Sequence, residues 1–239
     1  MSLIFLLTIL GAELPDGNLL LKRVDENIGA ETRVAVVEMR IATRRGARSV
    51  KVKSYVKGAD SSFVEYLAPE REKGTKMLKL GKDLWIYTPE SDRTIRISGH
   101  MLRQSVSGSD LSYEDMMEDP RLGNLYNATT IGADSVSSRP VWVVELKARS
   151  SEVAYPLRRV WIDQERYLIL KEERYAKGGK LLKTAEVLEL KRIDERWVVT
   201  RARFKDMLKL GEGTEFIIED VKFNVLIPSA LFSKSSLRR

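Results

Sequence analysis

Residues 99–117, GHMLRQSVSGSDLSYEDMM, bring together several groups that could do chemistry. They include the only histidine, His100, serines at 105, 107 and 109, and a run of carboxylates that continues just past the end: Asp110, Glu114, Asp115, Glu118 and Asp119. A nucleophilic triad needs a serine, a base and an orienting acid. The residue types are present, but the Gly-x-Ser-x-Gly elbow is missing. The carboxylates are hard oxygen donors suited to calcium, yet the Asp-x-Asp-x-Asp-Gly loop spacing is absent. The third reading is a cover. Ser112-Tyr113-Glu114-Asp115 fits a capping box, in which the serine hydroxyl and the Asp115 carboxylate satisfy free N–H groups of a new helix. Acids in its first turn suit the helix dipole. Tyr113, Met116 and Met117 then share one face, and Pro120 ends the helix. The spacing predicts a one- to two-turn helix with an apolar underside, after a flexible SVSGS hinge, with Met101 and Leu102 extending the apolar side. Methionine adapts to ligands of varied shape; a small helix closing a barrel end with no ligand fits the same pattern.

A cover requires a surface beneath it, and the rest of the chain supplies strands. Residues 15–29 predict a short amphipathic helix, with Leu20, Val24 and Ile28 at i, i+4, i+8, Leu21 beside them and Gly29 as the stop. Strand patterns follow at 31–43, 47–58, 61–69 and 75–89, the last broken by Gly81, and at 93–98. They resume at 124–136, 139–149, 157–163, 167–177, 180–193, 196–207 and 214–225. Turn signals at Arg44-Arg45-Gly46, residues 71–74, residues 89–92 and Gly178-Gly179 separate them. The pattern predicts a mainly β (α+β) protein built on one curved antiparallel sheet of about eleven strands. Several strands are apolar on both faces. Val141 and Val143 oppose Trp142, Val144 and Leu146, while Trp85 and Tyr87 oppose Leu84 and Ile86. Each face therefore needs an apolar cover. Packing against the helix answers part of that need; a half-closed barrel around a partly unfilled apolar cavity answers more of it.

Composition narrows the function classes. The chain has 239 residues, 43% hydrophobic and 31% charged, enough for a core. It has no cysteine, which excludes a disulfide framework, a Cys-based zinc site and a Cys nucleophile. The net charge of +7 favours anionic partners such as acidic headgroups or nucleic acid. No stacking-aromatic motif supports nucleic acid. Residues 3–10 form an apolar run too short to span a bilayer, which takes about 20 residues. Followed by Gly11-Ala12, the run reads as the apolar region and cleavage site of an export signal over residues 1–12, although no Lys or Arg precedes it. A single domain over residues 13–239 follows, since no Pro- or Ser-rich linker divides the chain.

Five stretches carry a family resemblance: LLLKRVDENIG, TRVAVVEMRI, DLWIYTPESDRTIRISGHMLRQSVSGSDLSYEDMM, LRRVWIDQERYLILKEERY and the tail DVKFNVLIPSALFSKSSLRR. From about residue 16 to the end the chain resembles the LolA-like family of outer-membrane lipoprotein-sorting proteins. The resemblance implies an unclosed barrel, a curved sheet of about eleven strands with short helices at its mouth. It also implies an exported, periplasmic protein that carries acyl chains or lipids and is not an enzyme. Relatives with the same sheet include periplasmic sensors that bind a protein partner.

Residues and resemblance together give the expected function: a periplasmic carrier that shelters lipid or lipoprotein acyl chains on their way to the outer membrane, without cofactor or metal. An inner-membrane transporter or an outer-membrane acceptor is the kind of protein partner this function would call for. Trp85, Tyr87, Ile95, Ile97, Met101, Leu102, Tyr113, Met116 and Met117 are the candidates to line the cavity and its lid. Arg93, Arg96 and Arg103 are the candidates to hold an anionic headgroup. The alternative is a sensor or scaffold that binds a partner protein through an exposed sheet edge, with no lipid cargo.

Overall fold

The computed structural model describes residues 13–43 and 46–238; the export signal expected at residues 1–12 and two residues of the turn expected at Arg44-Arg45-Gly46 lie outside that set. The chain opens with helix α1 (Gly17–Ile28), started by Asp16, whose carboxylate accepts from the Leu19 amide at 3.0 Å. Six strands follow: β1 (Thr32–Thr43), β2 (Gly46–Lys57), β3 (Ser61–Ala68), β4 (Lys76–Leu80), β5 (Asp83–Thr88) and β6 (Arg93–Ile97). Residues 99–124 form short helical turns around helix α2 (Tyr113–Met117). Seven more strands complete the chain: β7 (Tyr126–Val136), β8 (Arg139–Ala148), β9 (Leu157–Asp163), β10 (Ile169–Tyr175), β11 (Leu181–Ile193), β12 (Arg196–Asp206) and β13 (Thr214–Phe223). A tail of two 3-10 turns ends it.

All thirteen strands lie in one sheet, in the order β6-β5-β4-β3-β2-β1-β13-β12-β11-β10-β9-β8-β7. Each neighbouring pair is antiparallel, and β6 and β7 are left as separate edges. The count exceeds the expected eleven by two, and the short runs on either side of Gly81 are separate strands. Gly81 turns with φ +55°, and Leu80 pairs with Asp83 to close the hairpin. The sheet curves strongly enough that side chains of β1 and β9, five places apart in it, line one cavity.

Strand parity divides the apolar residues between two faces. On the inner face of β1–β6, Met39, Val50, Val64, Tyr66, Met77 and Ile86 form one cluster. On the inner face of β7–β9, Tyr126, Val144, Leu146, Val160 and Ile162 form another, roofed by Leu20, Leu21 and Val24 of α1; the Ile28 side chain is outside the described set. The outer face is covered too. Leu237, Leu231 and Phe232 of the tail pack over Phe63, Leu78 and Trp85, and Val141, Trp161 and Leu170 pack farther round. The two-sided apolar strands thus meet partners on both sides.

Polar contacts fix α1 against the sheet. The Asn18 side chain accepts from the Ala128 amide of edge strand β7 at 2.9 Å. Asp25 accepts from the Leu122 and Gly123 amides at 3.0 and 2.9 Å, and Asn27 donates to the Arg166 and Tyr167 carbonyls at 2.8 and 3.0 Å. Gly17 makes this approach possible, since a Cβ there would sit 2.7 Å from the carbonyl of Ala128. Gly17→Ala should therefore push α1 off β7 and lower stability by about 1–3 kcal/mol. Urea denaturation reads this as a lower midpoint; an unchanged midpoint would mean that α1 is not held so tightly.

Candidate functional site

Helix α2 is built by its cap. The Asp115 amide donates to the Ser112 hydroxyl at 3.2 Å, and the Ser112 amide donates back to the Asp115 carboxylate at 2.7 Å. The reciprocal pair is the capping box that the sequence predicts. Tyr113 and Met117, one turn apart, then face down onto the inner cluster of β1–β6, where Met101 and Leu102 join them. The preceding SVSGS segment differs from the expected hinge, because it is pinned at several points. Val106 and Ser109 are fully buried, the Ser107 carbonyl accepts from Arg48, and Asp110 accepts from the Thr214 hydroxyl at 2.7 Å and the Asp206 amide at 2.9 Å.

The far side of the cover is held by charge. The Asp115 side chain, 2% exposed, accepts from Arg174 at 2.9 Å and the Tyr155 hydroxyl at 2.7 Å, and it also pairs with Lys183. Glu118 pairs with Arg158, whose guanidinium is 1% exposed. Arg158 also pairs with Glu172 at 2.7 Å and donates to the Tyr126 hydroxyl at 2.6 Å. Arg174 closes the network on Glu172 at 2.9 Å. Burial by itself would raise the Asp115 carboxyl, but Arg174 and Lys183 outweigh it and hold the group down at about 2. Burial also works against Glu172, and the same balance, with Arg174 and Arg158, holds it below the usual carboxylate range. Burial pushes the Tyr126 and Tyr155 phenols well up, so both stay protonated.

Between the cover and the sheet lies a cavity of about 420 Å³. Its floor comes from β1–β4 through Arg33, Ser54, Val56, Ser62, Val64 and Lys79. Its other wall is Arg158, Glu172 and Arg174, and its roof is Asp115, Met116 and Glu118. The expectation of a partly unfilled apolar cavity needs adjusting. Most residues around the unfilled part are polar or charged, although much of the surface they present is apolar, and the oily part of the inner face is already occupied by Tyr113, Met117, Met101 and Leu102.

The structure separates the residues proposed from the sequence. Ile97, Met101, Leu102, Tyr113 and Met117 come together in the inner cluster. Met116 departs from the shared face, being 38% exposed and set against the cavity. Ile95 is 46% exposed on edge strand β6. Trp85 and Tyr87 are placed elsewhere altogether. They alternate with Leu84 and Ile86, so they face outward, beneath the C-terminal tail. Arg93, Arg96 and Arg103 are exposed, and Arg96 pairs with Asp83 across the hairpin. None of the three reaches the cavity lining.

His100 is exposed. Of the carboxylates weighed as metal ligands, Asp110, Asp115, Glu118 and Asp119 are engaged with protein groups: Asp119, for instance, takes Arg121 at 3.1 Å and Asn124 at 2.8 Å. Among the described residues no cluster of His, Cys, Asp or Glu is arranged to hold a metal ion. The sequence reading did not single out Arg33, Lys79, Arg158, Glu172, Arg174 or Lys183. Their signal is parity. Each is a charged residue at an inward position of its strand, as Arg158 is beside Val160 and Ile162, and Lys79 beside Met77.

A family model described as "Uncharacterized protein" matches residues 58–239. No curated protein matches the chain. Three solved structures share the whole fold. A DUF1329 family protein from Desulfovibrio piger is 25% identical with a TM-score of 0.84, over 92% of this chain and 97% of that one. A domain described as an outer membrane lipoprotein-sorting protein domain, from Vibrio parahaemolyticus, is 24% identical with a TM-score of 0.81, over 93% and 98%. A LolA superfamily protein from Nitrosomonas europaea is 25% identical with a TM-score of 0.77, over 93% and 100%.

The charge network sets a pH dependence. Because the Asp115 carboxyl is held at about 2 in the folded chain, against an ordinary value of 3.8, the unfolded chain takes up its proton first as pH falls. The stabilisation is full above about pH 4 and is lost towards pH 2. At neutral pH it amounts to about 2 kcal/mol. Denaturation curves at pH 6 and pH 2.5 should show the parent losing more stability between the two than Asp115→Asn does. Equal losses would remove Asp115 as the fastening of the cover.

Proposed function

This chain belongs to the LolA-like family, and on that premise we propose that it is a periplasmic carrier that shelters the acyl chains of a lipid or lipoprotein under a movable cover. The observation that carries the reading is a cavity of about 420 Å³ roofed on one side by a short helix whose apolar side rests on an apolar floor. That volume lies in the range of small-molecule sites, roughly 300–1,000 Å³. Val64 belongs to both the cavity wall and the apolar cluster. Lifting Tyr113 and Met117 would therefore join the two into one amphipathic groove.

The energetic case rests on desolvation. An acyl chain of ~16 carbons costs about 0.8 kcal/mol per CH₂ to expose, on the order of 10 kcal/mol across an aqueous gap. The inner-face apolar cluster offers that chain a dry surface in exchange for the cover's own side chains, so the net cost of opening is partly returned on binding. No step of this process makes or breaks a covalent bond, and the reading is sequestration. Delivery between membranes would need a donor and an acceptor, with an inner-membrane transporter and an outer-membrane protein as the partners of the right kind.

Protein purified without detergent should release an amphiphile, near one per chain, on extraction with organic solvent and mass spectrometry. An empty protein that instead retains a membrane protein through its sheet edge would replace the carrier with a sensor or scaffold.

A further inference from the structure

Two cations in the cavity have no carboxylate to answer them. The Arg33 side chain makes no hydrogen bond and no ion pair among the described residues. The residue lines the cavity from its open side and is exposed, yet the desolvation it suffers there pulls its pKa down. Lys79 is 7% exposed and donates to the Ala59 carbonyl at 3.0 Å, again without an ion pair. Burial lowers its pKa too, against the weaker pull of Asp60 and Asp119.

The carboxylates of the same cavity are already matched. Asp115 is held by Arg174 and Lys183, Glu118 by Arg158, Glu172 by Arg158 and Arg174, and Asp119 by Arg121. What remains uncompensated is Arg33 and Lys79. Ladder pairing sets them in a single row. Arg33 stands opposite Val56, Val56 opposite Ser62, and Ser62 opposite Lys79. Cross-strand partners point to the same face, so both cations face the cavity. They are three strand spacings apart, roughly 14 Å at the backbone, with only a valine and a serine between them. Two long side chains can lean together over that gap. An unpaired guanidinium at the open side of a cavity is well suited to an oxyanion, which its planar fork grips in two places.

We propose that Arg33 and Lys79 hold the oxyanion head, a phosphate or carboxylate, of an amphiphile whose chain runs over Val56 and Val64 to the apolar floor beneath Met117. The inference rests on the carrier reading and adds the chemistry of the cargo's head. It also moves the headgroup site from Arg93, Arg96 and Arg103, which lie away from the cavity, to its lining.

Calorimetric titration of the full chain tests it with three probes below micellar concentration: dodecyl phosphate, the uncharged 1-dodecylglycerol, and inorganic phosphate. Dodecyl phosphate should bind at least roughly tenfold more tightly than dodecylglycerol. Arg33→Gln and Lys79→Gln should each remove most of that preference and leave dodecylglycerol unchanged. Arg33→Lys, which keeps the charge but not the fork, should fall between. Without ligand, Arg33→Gln should melt no lower than the parent, which separates a ligand-binding arginine from a structural one. Equal binding of both amphiphiles, or a preference for phosphate that neither substitution disturbs, would overturn the oxyanion site and leave the carrier standing. Inorganic phosphate bound through Arg33, with neither amphiphile binding, would keep the oxyanion site with free phosphate as its source and end the carrier reading.

Discussion

The cost of burying a carboxylate organises this molecule. Asp115 sits in the cover, 2% exposed, where an isolated charge would not persist. It is tolerated because Arg174, Lys183 and Tyr155 converge on it from the sheet and the loop before β9. Those cations are acceptable in turn because Glu172 lies between Arg174 and Arg158, and Glu118 returns from the cover to Arg158. Removing any member strands another, so the network stands or falls as a unit. Buried ion pairs add little net stability over apolar packing of equal size. Their effect here is better described as registration. They fix which turn of the 99–124 segment meets β9–β11, and with it how Tyr113 and Met117 land on β1–β6. A cover sealed wholly by hydrocarbon would resist opening in proportion to its area. One held by charge can exchange its pairs for water as it lifts.

The sheet imposes a second constraint. Thirteen strands in one sheet expose two large faces, and the chain provides few helices to shield them. The solution is division. Helix α1 takes the inner face of β7–β9, the cover takes the inner face of β1–β6, and the tail takes the outer face near β3–β5. The space where the two inner covers fail to meet is the cavity. Its position therefore follows from the lengths of α1 and α2 as much as from the residues that line it. The edges are guarded by simple means: β6 has only five residues and carries Arg93 and Arg96, and β7 is flanked by the first turn of α1.

Much of this was legible because local signals agree with the final structure. The alternation in 47–58, with Val50, Val52 and Val56 opposing Lys51 and Lys53, becomes β2 with the valines inward. The Ser112–Asp115 spacing becomes a real capping box, and the amphipathic 15–29 segment becomes α1. What stayed hidden depends on which face of a strand lies inward, and on what closes it from far away in sequence. Trp85 and Ile86 are adjacent and equally apolar; only the tail, some 150 residues later, decides that Trp85 belongs to the outer face. Apolar bulk pointed to Trp85 and Tyr87 as lining, whereas the informative residues were the misfits, charged groups on the apolar parity such as Arg158 and Lys79. A buried polar residue tells more than a buried apolar one.

Those misfits give the inner face a direction. Along β2 the inward side chains run Val50, Val52, Ser54, Val56, from wholly buried to cavity-facing, over roughly 20 Å of strand. On the neighbouring strands the same progression leads from Met39 to Arg33 and from Met77 to Lys79. The gradient is parallel to the strands and common to several of them, which side-chain accidents on single strands would not produce. A surface apolar at one end and cationic at the other matches a molecule with the opposite polarity, a hydrocarbon chain ending in an anion. It disfavours an acyl chain alone, for which Arg33 and Lys79 would be a penalty, and it disfavours a free anion alone, for which the adjoining apolar floor would serve no purpose. The two ends of the gradient fit together for the amphiphile proposed above, its head at the cationic end and its chain over the apolar one.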